Sequence, residues 1–109
     1  MTATTVNIIP AKTAEIVQTL QHTATIKEKI SEYIVTNTTG AAITFSLNLV
    51  NAAGTAGSSN LFISSKVIQP NQTYACPEII GQTLEVGQFI STIASATGLS
   101  MRANAVQYS

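Results

Sequence analysis

Few residues in this chain have side chains able to do chemistry. There is one histidine, His22, and one cysteine, Cys76. The acids are five glutamates, Glu15, Glu28, Glu32, Glu78 and Glu85, with no aspartate. A lone imidazole among Thr and Gln (Gln21-His22-Thr23) has no sequence neighbour to make it a general base, and it reads as an ordinary strand residue. Cys76, next to Pro77, lacks a second thiol or metal-type spacing. A nucleophile also needs a positioned base, so a buried structural thiol is the better reading. The glutamates are too scattered to propose a metal site. The expectation is therefore no catalytic, cofactor-binding or metal-binding residue, no cofactor, and no enzymatic activity.

The Gly/Ser/Ala stretch from Asn51 to Asn60 invites a phosphate-loop reading. It has no Gly-Lys-Ser/Thr signature and no helical pattern after it, so it reads as an excursion between strands. Asn37-Thr38-Thr39 and Asn71-Gln72-Thr73 fit the N-glycosylation triplet, but in a Thr-rich chain they read as turns.

The elements that would carry these residues are strands. In Glu32–Val50, Ile43, Phe45, Leu47 and Leu49 alternate with Thr44, Ser46, Asn48 and Val50, a period of two that places the large apolar groups on one face. Asn37 and Gly40 in the intervening bend tolerate the backbone a reversal needs, so the stretch predicts a β-hairpin. A second hairpin is predicted between Gln88–Ala94 and Ser100–Tyr108, across Ser95-Ala96-Thr97-Gly98, with Phe89, Ser91 and Ile93 on one face. Leu61–Ile63 with Val67–Ile68 reads as a strand region. Pro70-Asn71-Gln72-Thr73 reads as a turn and Tyr74–Pro77 as a short extended piece.

Lys12–Ile34 is ambiguous. Ile26, Ile30, Tyr33 and Ile34 fall at helical spacing, but the β-branched residues favour two strands, near Glu15–Ile26 and Lys29–Asn37, with Lys27-Glu28-Lys29 as a polar turn. Turn signals every 8–12 residues or so give the fold class: an all-β, antiparallel β-sandwich, jelly-roll or Ig-like, as a single domain. The expected division is an N-terminal arm over 1–12 and a sandwich domain over 13–109. Its core would draw on Ile34, Val35, Ile43, Phe45, Leu47, Leu49, Phe62, Ile68, Leu84, Phe89 and Ile93.

Composition narrows the function. In 109 residues only 9% are charged and the net charge is zero, against roughly 25% charged in a typical domain. No basic footprint exists for nucleic acid or anionic lipid. The first residues lack the pattern of a signal peptide, and no run approaches the roughly 20 apolar residues that span a bilayer. A surface of hydroxyls and amides is cheap to desolvate and lacks the repulsion that keeps small domains apart. Copies of itself are thus expected partners, as a homo-oligomer with a trimer as one option. A sugar-binding sandwich is the rival reading, weakened by the absence of Trp and the wide spacing of Tyr33, Tyr74 and Tyr108.

Ile34–Thr44 (IVTNTTGAAIT), Ile68–Thr73 (IQPNQT) and Leu84–Ile90 (LEVGQFI) together resemble the strand-and-turn pattern of small structural virion proteins of tailed bacteriophages. The resemblance covers about Lys29 to Tyr108. Gln88 stands where that group carries an acidic residue, which would remove one turn hydrogen bond. The resemblance implies a β-sandwich attached to a capsid or tail. Its role would be a head decoration (cement) protein or a tail-tip or adaptor component, contacting major capsid or tail proteins. It would be located in the virion after assembly in the host cytoplasm, with its first twenty-odd residues reaching a neighbouring subunit.

Overall fold

The computed structural model describes residues 2–109 and contains nine strands. They are β1 (Ala3–Thr13), β2 (Thr19–Thr23), β3 (Glu28–Asn37), β4 (Ile43–Val50), β5 (Leu61–Ile68), β6 (Thr73–Tyr74), β7 (Thr83–Leu84), β8 (Phe89–Ala94) and β9 (Leu99–Tyr108). The ambiguous 12–34 segment forms strands, as its β-branched residues favour. One sheet runs β1-β9-β3-β6, with β7 also on β3; the other runs β2-β8-β4-β5. All pairings are antiparallel. β6 pairs with Val35–Thr36 and β7 with Glu28–Lys29, so the two short strands lie along one edge of β3 as a single interrupted strand.

Counted that way the molecule is an eight-stranded sandwich. Every connection except β4–β5 and β6–β7 carries the chain from one layer to the other. This alternation is a jelly roll. An Ig-type sandwich, by contrast, divides its strands as ABED and CFG.

Both predicted hairpins are corrected by this topology. β3 belongs to the first sheet and β4 to the second; β8 belongs to the second and β9 to the first. The period of two correctly marks which face of each strand is apolar, but two apolar faces can also be satisfied by facing each other across the layers. That is what happens here: Tyr33 of β3 and Phe45 of β4 pack with ring centroids 6.2 Å apart. The loop after each strand is an arch between layers, and the two arches touch where the Thr38 N–H and Oγ1 donate to Gly98 O at 3.0 and 2.9 Å. Gly98 has φ +136°, and a Cβ there would lie 2.2 Å from Thr39 Cγ2. Asn37, wholly buried, pins the first arch. Its Nδ2 donates to Ala41 O (2.8 Å) and Ile68 O (2.9 Å), and its Oδ1 accepts from the Thr39 N–H and hydroxyl (2.9 and 2.7 Å).

The turns follow their chemistry. Gln69-Pro70-Asn71-Gln72 and Glu85-Val86-Gly87-Gln88 both place a positive φ at the third position, Asn71 at 61° and Gly87 at 89°. In each, the fourth-position Gln returns its Oε1 to the N–H of the first, at 2.8 Å. Gln88 therefore keeps the turn hydrogen bond that an acidic residue was expected to supply.

The core includes the predicted Val35, Ile43, Phe45, Leu47, Ile68 and Leu84, joined by Ile9, Ile30, Tyr33, Ile63, Ile79, Ile90 and Leu99. Five predicted members lie outside the fully buried set. Ile34 pairs with Arg102 on the outer side of β3, and Ile93 with Ser46 on the outer side of β8. Phe89 shares that outer phase opposite Val50, while Ile90, Thr92 and Ala94 face inward. Leu49 has the inward phase but lies half-buried at the end of the sandwich, and Phe62 is 43% exposed. The phase of β8 could not be read from its sequence, because FISTIA has apolar residues on both phases.

Residues 3–13, expected within or beside an arm over 1–12, instead form the outer strand of the first sheet, paired with β9 from Ala3–Tyr108 to Thr13–Ser100. Ile8 and Ile9 supply the reason, since both are buried and tie the segment to the chain's own core. Pro10 falls on this edge strand, where a missing N–H is tolerated.

Candidate functional site: an ion-poor layer and a histidine–glutamate pair

The structure brings together two of the residues singled out above. Glu28 opens β3 in the first sheet and is wholly buried; His22 lies on β2 in the second sheet. His22 Nε2 is 3.0 Å from both carboxylate oxygens of Glu28. Gln107 Nε2 donates to Glu28 Oε1 at 3.4 Å. The pair is a polar tie across the interior of the sandwich. Glu28 was expected in a turn. The signal that could have placed it is its spacing: it stands two residues before Ile30, so the alternation that buries Ile30 also turns Glu28 inward.

Cys76 does not join them. It sits in the β6–β7 turn, buried, with Sγ 3.9 Å from Tyr74 O. Burial pushes its thiol up to about 12, with Glu78 adding to the effect. Such a thiol carries almost no thiolate at neutral pH and is a poor nucleophile. Burial likewise raises the Tyr33 hydroxyl above its ordinary range; that hydroxyl donates to Met101 Sδ at 3.2 Å. Tyr74 bonds Glu78, and Lys66 lies over the Tyr74 ring at 5.0 Å from its centroid. Glu15 is held below the usual carboxylate range chiefly by its hydrogen bond from Lys12, 2.8 Å away, with Gln21 completing the cluster. Among the described residues no three His, Cys, Asp or Glu side chains come together as a metal cage.

Surface depressions lie away from these side chains. One of about 130 Å³ lies at the end of the sandwich beside Leu49, Phe62 and Leu84. Another, of about 310 Å³, is bounded by Lys27, Lys29, Thr83 and Tyr108. Neither includes His22, Glu28 or Cys76 in its lining.

The larger feature is how charge is distributed between the layers. Residues 16–26, 33–65 and 86–101 are among the stretches of sequence without Lys, Arg, Asp or Glu. β2, β4 and β8 fall wholly inside them, and β5 carries a single charged residue, Lys66, which pairs with Phe45 and turns to Tyr74 at the margin. The second sheet thus carries one Lys, Arg, Asp or Glu residue, Lys66 on its outer strand β5. Its outward positions are Leu20, Ser91, Asn48 and Leu61 in one cross-strand row, with Ser46 and Ile93, Thr44 and Val67, and Val50 and Phe89 in others. The flanking loops fold over this sheet. Gln18 Nε2 donates to Ser91 Oγ (2.8 Å) and Asn48 Oδ1 (3.4 Å), while Asn48 Nδ2 donates to Gly57 O (3.0 Å) and Asn60 Oδ1 (2.7 Å). The exposed apolar residues of this side are Ile16 (54%), Val17 (64%), Leu20 (53%), Leu61 (37%) and Val67 (46%). The first sheet, in contrast, presents Lys29, Glu32 and Arg102, and Asn104 Nδ2 donates to Glu32 Oε1 there at 2.9 Å.

No known protein family and no curated protein matches the chain. Solved structures do match. A structure of the Gx strain of infectious bursal disease virus superposes with a TM-score of 0.59 at 11% identity, over 96% of this chain and 32% of that one. The crystal structure of the VP2 subviral particle of the same virus gives 0.55 at 11% identity, with the same coverage of 96% and 32%. The chain spans about a third of the length of those viral chains, and what it shares with them is the β-sandwich fold.

Proposed function

We propose that this chain is a non-enzymatic structural protein of a virus particle. In its sharpest form the reading is a capsid decoration (cement) protein of a tailed phage, which stabilises the shell through contacts among its own copies and with the major capsid protein. The observation that carries it is the ion-poor layer: a sandwich side made of hydroxyls, amides and exposed aliphatics loses little on leaving water. The fold likeness to chains of a virus particle supports the same reading.

The test mixes purified protein with capsids lacking it and sediments them. Stoichiometric uptake and a higher disruption temperature of the decorated capsids are expected. A protein that stays in the supernatant and leaves capsid stability unchanged refutes the decoration role, and uptake by isolated tails instead would move the protein to a tail-tip or adaptor position.

A glycan-binding module is the second reading, favoured by the depression where half-buried Tyr108 lies beside Lys27, Lys29 and Thr83. A glycan array with one clear ligand class, lost on Tyr108→Ala, would promote it.

A further inference from the structure

We infer that the ion-poor side of the second sheet is a contact between two copies of this chain, centred on Ile16, Val17 and Leu20. The inference rests on the assembly reading above and names the surface and its occupant.

The choice of occupant follows from charge. A partner recognised by ionic complementarity finds little to pair with here, because β2, β4 and β8 carry no Lys, Arg, Asp or Glu and β5 carries Lys66 alone. A charged partner surface would bury its ions unpaired, which is strongly unfavourable. The matching surface must itself be poor in ions, and this same side on another copy supplies one. Two copies related by a two-fold axis bring no like charges together, so the contact is self-complementary in the way an isologous interface requires. Glu15, next to Ile16, is already neutralised by Lys12 at 2.8 Å, and Lys66, next to Val67, lies over the Tyr74 ring.

The exposed aliphatics fit that arrangement. Ile16, Val17 and Leu20 fall within five consecutive residues at the β2 edge and are all more than half exposed. Leu61 and Val67 lie across the sheet on β5, in the rows of Asn48 and Thr44. Four strands at about 4.8 Å spacing, six to eight residues long, give a flat footprint of roughly 450 Å². Surface corrugation and the overlying 14–18 and 51–60 loops raise the accessible area toward the 600–1,000 Å² or so per partner of a specific interface. That places the contact at the small end, as suits a weak pair reinforced by many neighbours in a shell. The first sheet is a poorer candidate, since burying it would desolvate Lys29, Glu32 and Arg102.

The experiment is sedimentation velocity on the full chain over a concentration series, in low and high salt. A concentration-dependent dimer is expected, no weaker at 1 M salt than at 0.05 M, because an interface poor in ions has little to screen. Leu20→Glu should weaken association by on the order of a hundredfold, since it buries an unpaired carboxylate. Arg102→Glu, on the other side, should leave it unchanged. Circular dichroism melting checks that each variant is folded. As a second probe, Leu20→Cys should give a disulfide-linked dimer under mild oxidation, with buried Cys76 not competing. A wild type that stays monomeric at every concentration and no Leu20→Cys cross-link would overturn the inference. So would a dimer that Leu20→Glu leaves intact. Capsid uptake that persists in such a monomer would overturn this contact alone; loss of uptake with the dimer intact would count against the decoration role instead.

Discussion

Removing the His22 imidazole should be among the most damaging single changes in this protein. His22→Ala would leave the Glu28 carboxyl group at 0% exposure with only the Gln107 amide, 3.4 Å away, for company. Breaking a buried pair from one side typically costs about 3–5 kcal/mol. The His22 side chain retains 16% exposure, so some water reaches the pair and the low end, about 3 kcal/mol, is expected. For a domain of this size that corresponds to a fall in Tm of roughly 12–20 °C. The converse change, Glu28→Ala, should cost less, about 2 kcal/mol, because the freed imidazole nitrogen can be hydrated from its exposed side. The assay is urea denaturation of wild type, both single variants and the double variant, analysed as a double-mutant cycle. A coupling of about 2 kcal/mol is expected, and His22→Leu with Glu28→Leu should recover much of the loss by replacing the pair with packed apolar groups. Single-variant effects that add to within about 0.5 kcal/mol would refute the idea that the two side chains act as one tie between the layers.

Three further outcomes follow from the same geometry. Asn37→Ala removes two side-chain donors and one acceptor from a buried arch and leaves Ile68 O short of a partner, so denaturant unfolding should show a loss of about 2–3 kcal/mol. Cys76, with its thiol near 12, should carry about a thousandfold less thiolate than an ordinary cysteine, so iodoacetamide labelling at pH 8 should be slow in the folded protein and should accelerate on unfolding. Rapid native labelling would contradict the burial of that turn. Glu15 has a folded pKa below its unfolded one. Its contribution is therefore present above the ordinary carboxylate range near pH 4.5 and is lost as pH falls through the lowered folded value. Melting curves of Glu15→Gln should converge with wild type at acid pH and fall slightly below it at neutral pH; the gap should be small, because both partners are about a third exposed.

Much of the architecture can be read from the chain, for reasons that are local. Ile43-Thr44-Phe45-Ser46-Leu47 alternates cleanly, so β4 and its inner face follow from a period of two. Pro70-Asn71 and Val86-Gly87 mark their turns because Asn and Gly accept positive φ at the third position. The ion-free stretches 16–26, 33–65 and 86–101 are visible in the sequence as well, although their meeting in one layer is not.

Strand partnership is the part that sequence does not carry. Alternation assigns a residue to a face, but the face of β3 can be buried equally by a neighbour in its own sheet or by one opposite it, and a short Asn/Gly connection serves either geometry. The decision rests on packing over long sequence separations, such as Tyr33 against Phe45 and β9 between β1 and β3. The same long-range pairing took residues 3–13 into the first sheet and brought Glu28 to His22 through the interior. Local chemistry determined the strands, the turns and where charge is missing. Only the closed sandwich decided which strands are neighbours and which side of the molecule is left poor in ions, because those depend on burying both apolar faces at once.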